Sequence, residues 1–144
     1  MPSEKNKAVA LRFEEEFKNK ANLGVVDEIF AADFKHHLPF PGLPAGRDAM
    51  KAVGKSVFAS FAHEHLQVTV EQCLSDGDFA VTRVRVRAVH TGDFNGIPAT
   101  GKEVGWTENN IFRIADGKIA ELWGEGNFLG VMAQLGALSN ATKT

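Results

Sequence analysis

The hydrophobic residues of this 144-residue chain follow a helical spacing before His65 and an alternating spacing after it. Spacings of three and four residues are typical of helices that bury one face, whereas alternation is typical of strands in a sheet with one wet face. Because the change occurs once and no repeat is present, the chain predicts one α+β domain, with helices first and antiparallel strands after them. We expect this domain to cover residues 1–138 and residues 139–144 to form a frayed tail.

Three helices are predicted in the first part of the chain. The first lies between Glu4 and Lys20, the second is short and ends near Asp33, and the third runs from Arg47 to Phe61. The apolar side of the first helix carries Val9, Phe13 and Phe17, and its polar side carries Glu14, Glu15, Lys18 and Asn19. Three prolines and two glycines between His36 and Gly46 predict a shaped loop.

Strands and one last helical segment are predicted in the second part. The strands begin after His65, at Phe79, at Glu103 and at Lys118, and the helical segment covers Phe128 to Leu135. Between the last two strands, Asp116-Gly117 is a strong hairpin signal, and a two-residue turn there fixes the pairing of the strands. That register places Glu108 opposite Glu125. It also places the following residues on the same face: Trp106, Asn110, Phe112, Glu121, Trp123 and Asn127.

This face combines both tryptophans with three glutamates, which is typical of a small-molecule site with apolar walls and a few polar groups. If Glu108 and Glu125 meet away from water, one of them holds its proton above its usual pKa, so the pair could act as acid and base. Two alternatives remain: the face could be exposed to solvent, or arginines such as Arg83, Arg85 and Arg113 could neutralise the glutamates.

The remaining sequence features mainly exclude function classes. His63 and His65 lack the further ligands that a metal site needs, and nucleotide-binding motifs are absent, so we expect neither a metal nor another cofactor. A net charge of -2 without basic runs argues against nucleic acid, and no apolar run is long enough to span a membrane. The polar start and the single cysteine, Cys73, predict a cytoplasmic protein without internal disulfides.

Three segments resemble a known family. They are GDFAVTRVRVRAVHTGDFNGIPATGKEV from Gly77, FRIADGKIAELW from Phe112 and FLGVMAQLGA from Phe128. These segments are similar to the SnoaL-like polyketide cyclase (ester cyclase) branch of the nuclear transport factor 2-like superfamily. The resemblance implies a cone-shaped α+β barrel with three N-terminal helices packed on a curved antiparallel sheet. It also implies a homodimer, formed through the outer face of the sheet.

The same resemblance implies a function. Cyclases of this family close a ring by intramolecular aldol condensation of a polyketide ester, without metal or cofactor, and an aspartate shortly after the Glu-x-Trp element moves the proton. Asn127 stands at that position here, and an amide cannot move the proton. We therefore expect Glu125 to replace the aspartate, with Glu108 tuning it and Asn127 donating a hydrogen bond to the oxyanion.

Further site residues come from the same resemblance. The histidines of the family correspond to His37 and His90, and one of the two is expected to assist the proton transfer. The sheet arginine of the family corresponds to Arg83 and its Glu-x-Trp to Glu121 and Trp123; Arg83 and Glu121 could also form a buried ion pair. The predicted ligand is a hydrophobic or aromatic small molecule. Two alternatives stay open: a binding protein that performs no chemistry on this ligand, and a dimeric scaffold with a vestigial cavity.

Overall fold

A computed structural model describes residues 3–37 and 42–138, and it confirms the α+β class. The predicted tail at 139–144 and residues 38–41 of the predicted proline loop lie outside the described residues. The helices are α1 (Glu4–Arg12), which continues as a π-helical segment (Phe13–Asn19), α2 (Val26–Ile29), α3 (Asp48–Ser60) and α4 (Phe128–Gln134). Short 3-10 turns at Leu23–Val25 and His63–His65 precede α2 and the second strand.

Five strands form one mixed sheet in the order β1-β5-β4-β3-β2. They are β1 (Phe30–His36), β2 (Gln67–Asp76), β3 (Phe79–Val89), β4 (Glu103–Ala115) and β5 (Lys118–Gly126). Neighbours pair antiparallel except β1, which runs parallel to β5. The predicted sheet was wholly antiparallel, and that part of the prediction is wrong.

Strand β1 occupies a segment that we predicted as helix up to Asp33 and loop after His36. Helix α2 ends at Ile29, and Phe30 already has extended backbone angles. Both Phe30 and Phe34 are buried, and the Phe30 ring packs edge-on against Phe13 of the first helix at 5.5 Å. Burial of these two rings against the helix and the sheet therefore overrides the local helical spacing.

The strand β4 alternates as predicted, but β5 does not. The pairs next to the turn, Ala115 with Lys118 and Ile114 with Ile119, match the predicted register, and the next pair joins Arg113 to Glu121, which leaves Ala120 as an extra residue. Such a β-bulge turns the rest of the strand over. The physical reason is that Ile119 and Leu122 are both buried, and two residues three apart cannot share a face of a regular strand.

Two apolar clusters fill the interior. The first joins the N-terminal helices to one end of the sheet, and it includes Phe13, Phe30 and Phe112. The second lies under α3 and α4, and it includes Phe61 and Trp106. Along β3 and β4, polar residues separate these clusters. We refer to the following set as the interior polar cluster: Glu14, Lys18, Thr82, Glu108 and Asn110.

Candidate functional site

Lys18 joins two carboxylates at the centre of the interior polar cluster. Its Nζ lies 3.0 Å from both carboxylate oxygens of Glu14 and 2.9 Å from Oε1 of Glu108. The Glu14 side chain is 1% exposed, whereas those of Lys18 and Glu108 are 16% and 17% exposed. One end of the cluster is therefore sealed, and the end that carries Glu108 is partly exposed to solvent.

Lys18 and Glu14 reach the interior because the first helix widens into a π-helical turn. The backbone N–H of Lys20 donates to the carbonyl of Glu15, five residues earlier, which is the π-helical pattern. This winding brings Glu14 and Lys18 inward together with Phe13 and Phe17. Our prediction that Glu14 and Lys18 belong to the polar side of this helix is therefore wrong.

Glu108 is held by three donors. Its Oε1 accepts from Lys18 and, at 3.4 Å, from Asn110 Nδ2, and its Oε2 accepts from Trp106 Nε1 at 2.7 Å. Opposite these residues, β5 has glycines: a Cβ on Gly124 would lie 2.7 Å from Asn110 Oδ1, and one on Gly126 would lie 3.3 Å from Glu108 Cγ. The glycines therefore provide the space in which the polar side chains of β4 stand.

The ionisation of the cluster follows from burial and from Lys18. Burial raises the pKa of Glu108, but Lys18 and the hydrogen bonds from Trp106, Lys18 and Asn110 lower it more, so its pKa lies below the usual value. For Glu14, burial is the larger effect and its pKa is raised, although Lys18 opposes this. Burial lowers the pKa of Lys18, but Glu108 and Glu14 raise it further, so Lys18 stays an ammonium.

Of the predicted site face, the β4 residues lie together as expected. Trp106, Glu108, Asn110 and Phe112 all point into the interior. Phe112 is completely buried and packs edge-on against Phe13 at 5.6 Å, so it forms a wall of the first apolar cluster. Trp106 contacts Phe61 at 5.2 Å and Phe128 of α4 at 5.6 Å.

The β5 residues of the predicted site lie on the outer face instead, because of the bulge at Ala120. Trp123 stacks on His37 with a ring separation of 4.6 Å, and His37 Nε2 lies 3.0 Å from Glu121 Oε1. Arg113 donates to Glu121 Oε2, and Arg113 and His37 hold the pKa of Glu121 below its usual range. The predicted placement of Glu121 and Trp123 on the same face as Glu108 is therefore wrong, and His37 lies beside them on the outer face.

A groove of about 490 Å³ adjoins this outer cluster, between β1 and the β4–β5 hairpin. Its lining mixes charges of both signs, with Lys35, Arg113 and Lys118 beside Asp33, Asp116 and Glu121. Arg83 lies elsewhere on the outer face, where it contacts Glu71 and Asn109. The buried Arg83–Glu121 pair considered as an alternative is therefore not formed.

Glu125 and Asn127 also differ from their predicted placement. Glu125 is exposed and pairs with Asn109 on the outer face, so Glu108 does not meet it; the residue opposite Glu108 is Gly126. Asn127 caps α4, since its Oδ1 accepts from the N–H of Gly130 at 3.0 Å. An Asn at this position satisfies one of the free N–H groups of the helix end.

His90 is completely buried at the end of β3. Its Nδ1 accepts from the N–H of Thr100 and lies 2.9 Å from the Thr100 hydroxyl, so the proton of the neutral ring is assigned to Nε2. The ring of Phe61 contacts His90 at 5.9 Å and also contacts Trp106, and it thus lies between the two. His90 anchors the loop before β4, and its assisting role in catalysis stays a prediction.

Within residues 3–37 and 42–138, no helix is long and apolar enough to cross a membrane. Within the same ranges, no three His, Cys, Asp or Glu side chains come together as the ligands of a metal ion would.

The family model for SnoaL-like polyketide cyclases matches residues 8–135 of the chain. The chain belongs to this family. The match covers the π-helical segment, all five strands and α4, so the interior polar cluster lies wholly within the SnoaL-like domain. A comparison with curated protein sequences finds no match.

Solved structures with the SnoaL-like fold cover nearly the whole chain. TsrD from Streptomyces laurentii is 28% identical, with a TM-score of 0.82 over 93% of this chain and 96% of that one. IdmH from Streptomyces antibioticus, described as a candidate polyketide cyclase, is 30% identical, with a TM-score of 0.79 over 91% and 98%. AclR from Streptomyces galilaeus, described as a candidate hydroxylase, is 26% identical, with a TM-score of 0.80 over 92% and 85%. The fold is thus shared by proteins with different described activities.

The sequence analysis missed three residues that face the interior: Glu14, Lys18 and His36. His36 points inward where its neighbour His37 points outward, and its Nδ1 is buried without a hydrogen-bond partner among the described residues. Burial, and to a lesser degree the charge of His37, lowers the pKa of His36 to about 4. A signal existed for the helix residues: Glu14 and Lys18 each follow a buried Phe directly, at the same four-residue spacing.

Proposed function

We propose that this SnoaL-like protein is a cofactor-independent cyclase or a related enolising enzyme, and that Glu108 is its general acid and base. The proposed reaction is the aldol-type ring closure of a polyketide-like ester. The observation that carries the proposal is a carboxylate that stands inside the fold, is 17% exposed and has a pKa held below its usual value. Such a group is ionised at neutral pH and is partly exposed to solvent, as a general base that meets a ligand must be.

The hydrogen bonds of Glu108 leave room for one more. Each carboxylate oxygen can accept about two hydrogen bonds, and Oε2 of Glu108 accepts one, from Trp106. Lys18 has three N–H groups, which matches its three contacts to Glu14 and Glu108, and it stays charged. Lys18 is therefore suited to orient Glu108, and unsuited to form an imine with a carbonyl substrate.

The proposed reaction balances without any co-reactant. Glu108 takes a proton from an acidic C–H of the substrate, which leaves an enolate. The enolate carbon then attacks a carbonyl carbon of the same molecule, and one C–C bond forms while the carbonyl becomes an alkoxide. The alkoxide takes the proton back from Glu108. A base with a lowered pKa needs an already acidic C–H, as between two carbonyl groups.

The walls of the proposed site are aromatic. Trp106 and Phe128 line the side of Glu108 that faces α4, and Phe112 lies two residues beyond Asn110 on the same strand. Asn127 is proposed to donate a hydrogen bond to the enolate from Nδ2, because its Oδ1 already caps α4. A hydrophobic or aromatic oxygenated molecule fits these groups.

A second candidate function is favoured by Asn127 itself. The family resemblance places a proton-transferring aspartate there, and the side chain present is an amide that caps a helix. A protein with the same interior could bind a hydrophobic small molecule and leave it unaltered. In that case the ion pairs of Glu108 would be purely structural.

The test is ring closure of an anthraquinone-type polyketide methyl ester, followed by absorbance, with Glu108→Gln beside the wild type. We expect the wild type to close the ring and Glu108→Gln to lose about 10²–10⁴-fold in kcat. Glu125→Gln is the matched control, since it makes the same change on the exposed outer face.

Two results would count against the proposal. Equal turnover by the wild type and Glu108→Gln would remove Glu108 from the reaction. Saturable quenching of tryptophan emission by the ester, with the ester recovered unchanged, would instead support the binding protein.

A homodimer and a cytoplasmic location remain part of the proposal. The outer face of the sheet exposes Phe79 and Ile111 by 42% and 41%, next to Trp123, and this apolar area suits a second copy of the chain. Sedimentation of Ile111→Glu is the test. A monomer where the wild type is a dimer would support the outer face as the interface, and an unchanged dimer would contradict it.

A further inference from the structure

A second carboxylate accompanies Glu108 in the interior, and no step proposed above uses it. Glu14 is 1% exposed and lies across Lys18 from Glu108, with Lys18 Nζ 2.9–3.0 Å from oxygens of both. Around Glu14, the Thr82 hydroxyl and Asn110 Nδ2 lie 3.5 Å from its Oε1. Asn110 Nδ2 also lies 3.4 Å from Glu108, so two groups connect the carboxylates.

We propose that Glu14 is a positioning residue that holds Lys18 against Glu108 and compensates the charge of Lys18 whenever Glu108 carries a proton. Glu125 was the expected partner carboxylate of Glu108, and Glu14 takes that place. The proposal builds on the acid and base role of Glu108, but its test needs no turnover.

The charge balance of the cluster is the reason. When Glu108 is ionised, Lys18 has an anionic partner there, and Glu14 can be neutral. When Glu108 takes up a proton, Lys18 would be a buried cation without a counter-charge if Glu14 were absent. With Glu14 present, Lys18 keeps an ion pair in both states. The two carboxylates therefore titrate as one coupled unit.

The groups that face the Glu14–Glu108 pair come from three strands and from the π-helical segment. They are Thr82 of β3, Trp106 and Asn110 of β4, Lys18 of the π-helical segment, and Cys73 of β2. Burial raises the pKa of the Cys73 thiol, Lys7 partly opposes this, and the charges of Glu14 and Glu4 add to it. Cys73 is thus neutral at neutral pH, and Lys18 is the cation that both carboxylates contact.

Trp106 provides a readout that is independent of catalysis. Its indole N–H donates to Glu108 Oε2 at 2.7 Å, so protonation of Glu108 changes the surroundings of the indole and its emission. The chain has two tryptophans, and Trp123 lies on the outer face. A Trp123→Phe background therefore isolates Trp106, and circular dichroism of the same samples reports that the fold is intact.

In this background we expect the emission of Trp106 to change with a midpoint below pH 4.5, the ordinary value for Glu. A second change is expected above pH 4.5, where Glu14 ionises beside Lys18, and Glu14→Gln should remove this second change and keep the first, because Gln replaces the neutral form of Glu14. Glu15→Gln is the control: it makes the same substitution on the next, exposed residue and should leave both changes of emission in place.

A wild-type titration with a single change, or a second change that persists in folded Glu14→Gln, would overturn the proposal. If Glu14→Gln does not fold, Lys18→Met and Glu14→Gln/Lys18→Met are compared. Coupling predicts two changes in the emission of Trp106 in Lys18→Met and one in the double variant, and the same number of changes in both would overturn it. If these changes are observed and the wild type closes no ring, only the proposed function is contradicted.

Discussion

Lys18→Met tests how much the central ammonium stabilises the fold. The substitution keeps the length of the side chain and removes the charge, so Glu14 and Glu108 lose the cation that lies 2.9–3.0 Å from their oxygens. Removal of one partner from a buried ion pair costs about 3–5 kcal/mol, because the charge that remains is uncompensated. We expect a loss in this range at pH 7, since Glu14 is 1% exposed.

The pH dependence of this loss follows from the carboxylates. A buried carboxylate without a neighbouring cation can become neutral by taking up a proton. From an ordinary pKa of 4.5, this protonation costs about 3.4 kcal/mol at pH 7 and about 1.4 kcal/mol at pH 5.5. In the wild type, the lowered pKa of Glu108 gives stability that is present above pH 4.5 and is lost as the pH falls through the folded pKa. The difference between Lys18→Met and the wild type should therefore shrink to about 1–2 kcal/mol at pH 5.5.

The assay is urea unfolding at pH 7.0 and 5.5, followed by circular dichroism. Lys20→Met is the matched control, because Lys20 is exposed on the same helical run, and it should change stability by less than about 0.5 kcal/mol. Glu14→Gln/Lys18→Met/Glu108→Gln removes all three charges and should recover most of the loss. A loss below about 1 kcal/mol at pH 7, or a loss that does not change with pH, would refute the reasoning, since it would mean that water solvates the cluster.

Three further predictions concern single residues outside the cluster. Asn127→Ala should cost about 1 kcal/mol in urea unfolding, because the cap on Gly130 is lost, whereas Asn127→Asp should cost nothing measurable. Gly92→Ala should lower the melting temperature by several degrees or prevent folding, since its Cβ would lie 1.9 Å from the carbonyl oxygen of Ala59. As the pH falls from 6.5 to 4, His36→Phe should lose about 1–2 kcal/mol less stability than the wild type, because the fold favours the neutral form of His36. An unchanged pH profile of the stability would contradict this.

The sequence predicted the type of nearly every element, because periodicity is a local property. The helix at α3, the strands β2 to β5 and the inward face of β4 from Trp106 to Ile114 follow directly from the spacing of apolar residues. The Asp116-Gly117 turn is also confirmed, and both residues have positive φ angles, as this turn requires. Family membership was likewise readable from the sequence, since long segments of the second half carry it.

The candidate site was only half predictable, because one residue in β5 decides which side chains share a face. Beyond the bulge at Ala120, Glu121, Trp123 and Glu125 point outward, although a regular strand would have pointed them inward. The spacing of Ile119 and Leu122 was the available signal. Local alternation alone did not show that both of these residues are buried, because burial depends on what packs against the strand.

The inward placement of Glu14 and Lys18 and the formation of β1 depended on tertiary structure. A charged pair on a helix is ordinarily solvated, and only the π-helical winding and the gap between two apolar clusters place Glu14 and Lys18 beside Glu108. Strand β1 forms because Phe30 and Phe34 bury their rings against the helix and the sheet. The sequence thus determined the elements and the family through local patterns, whereas the partners of each charge depended on packing between residues up to 96 positions apart.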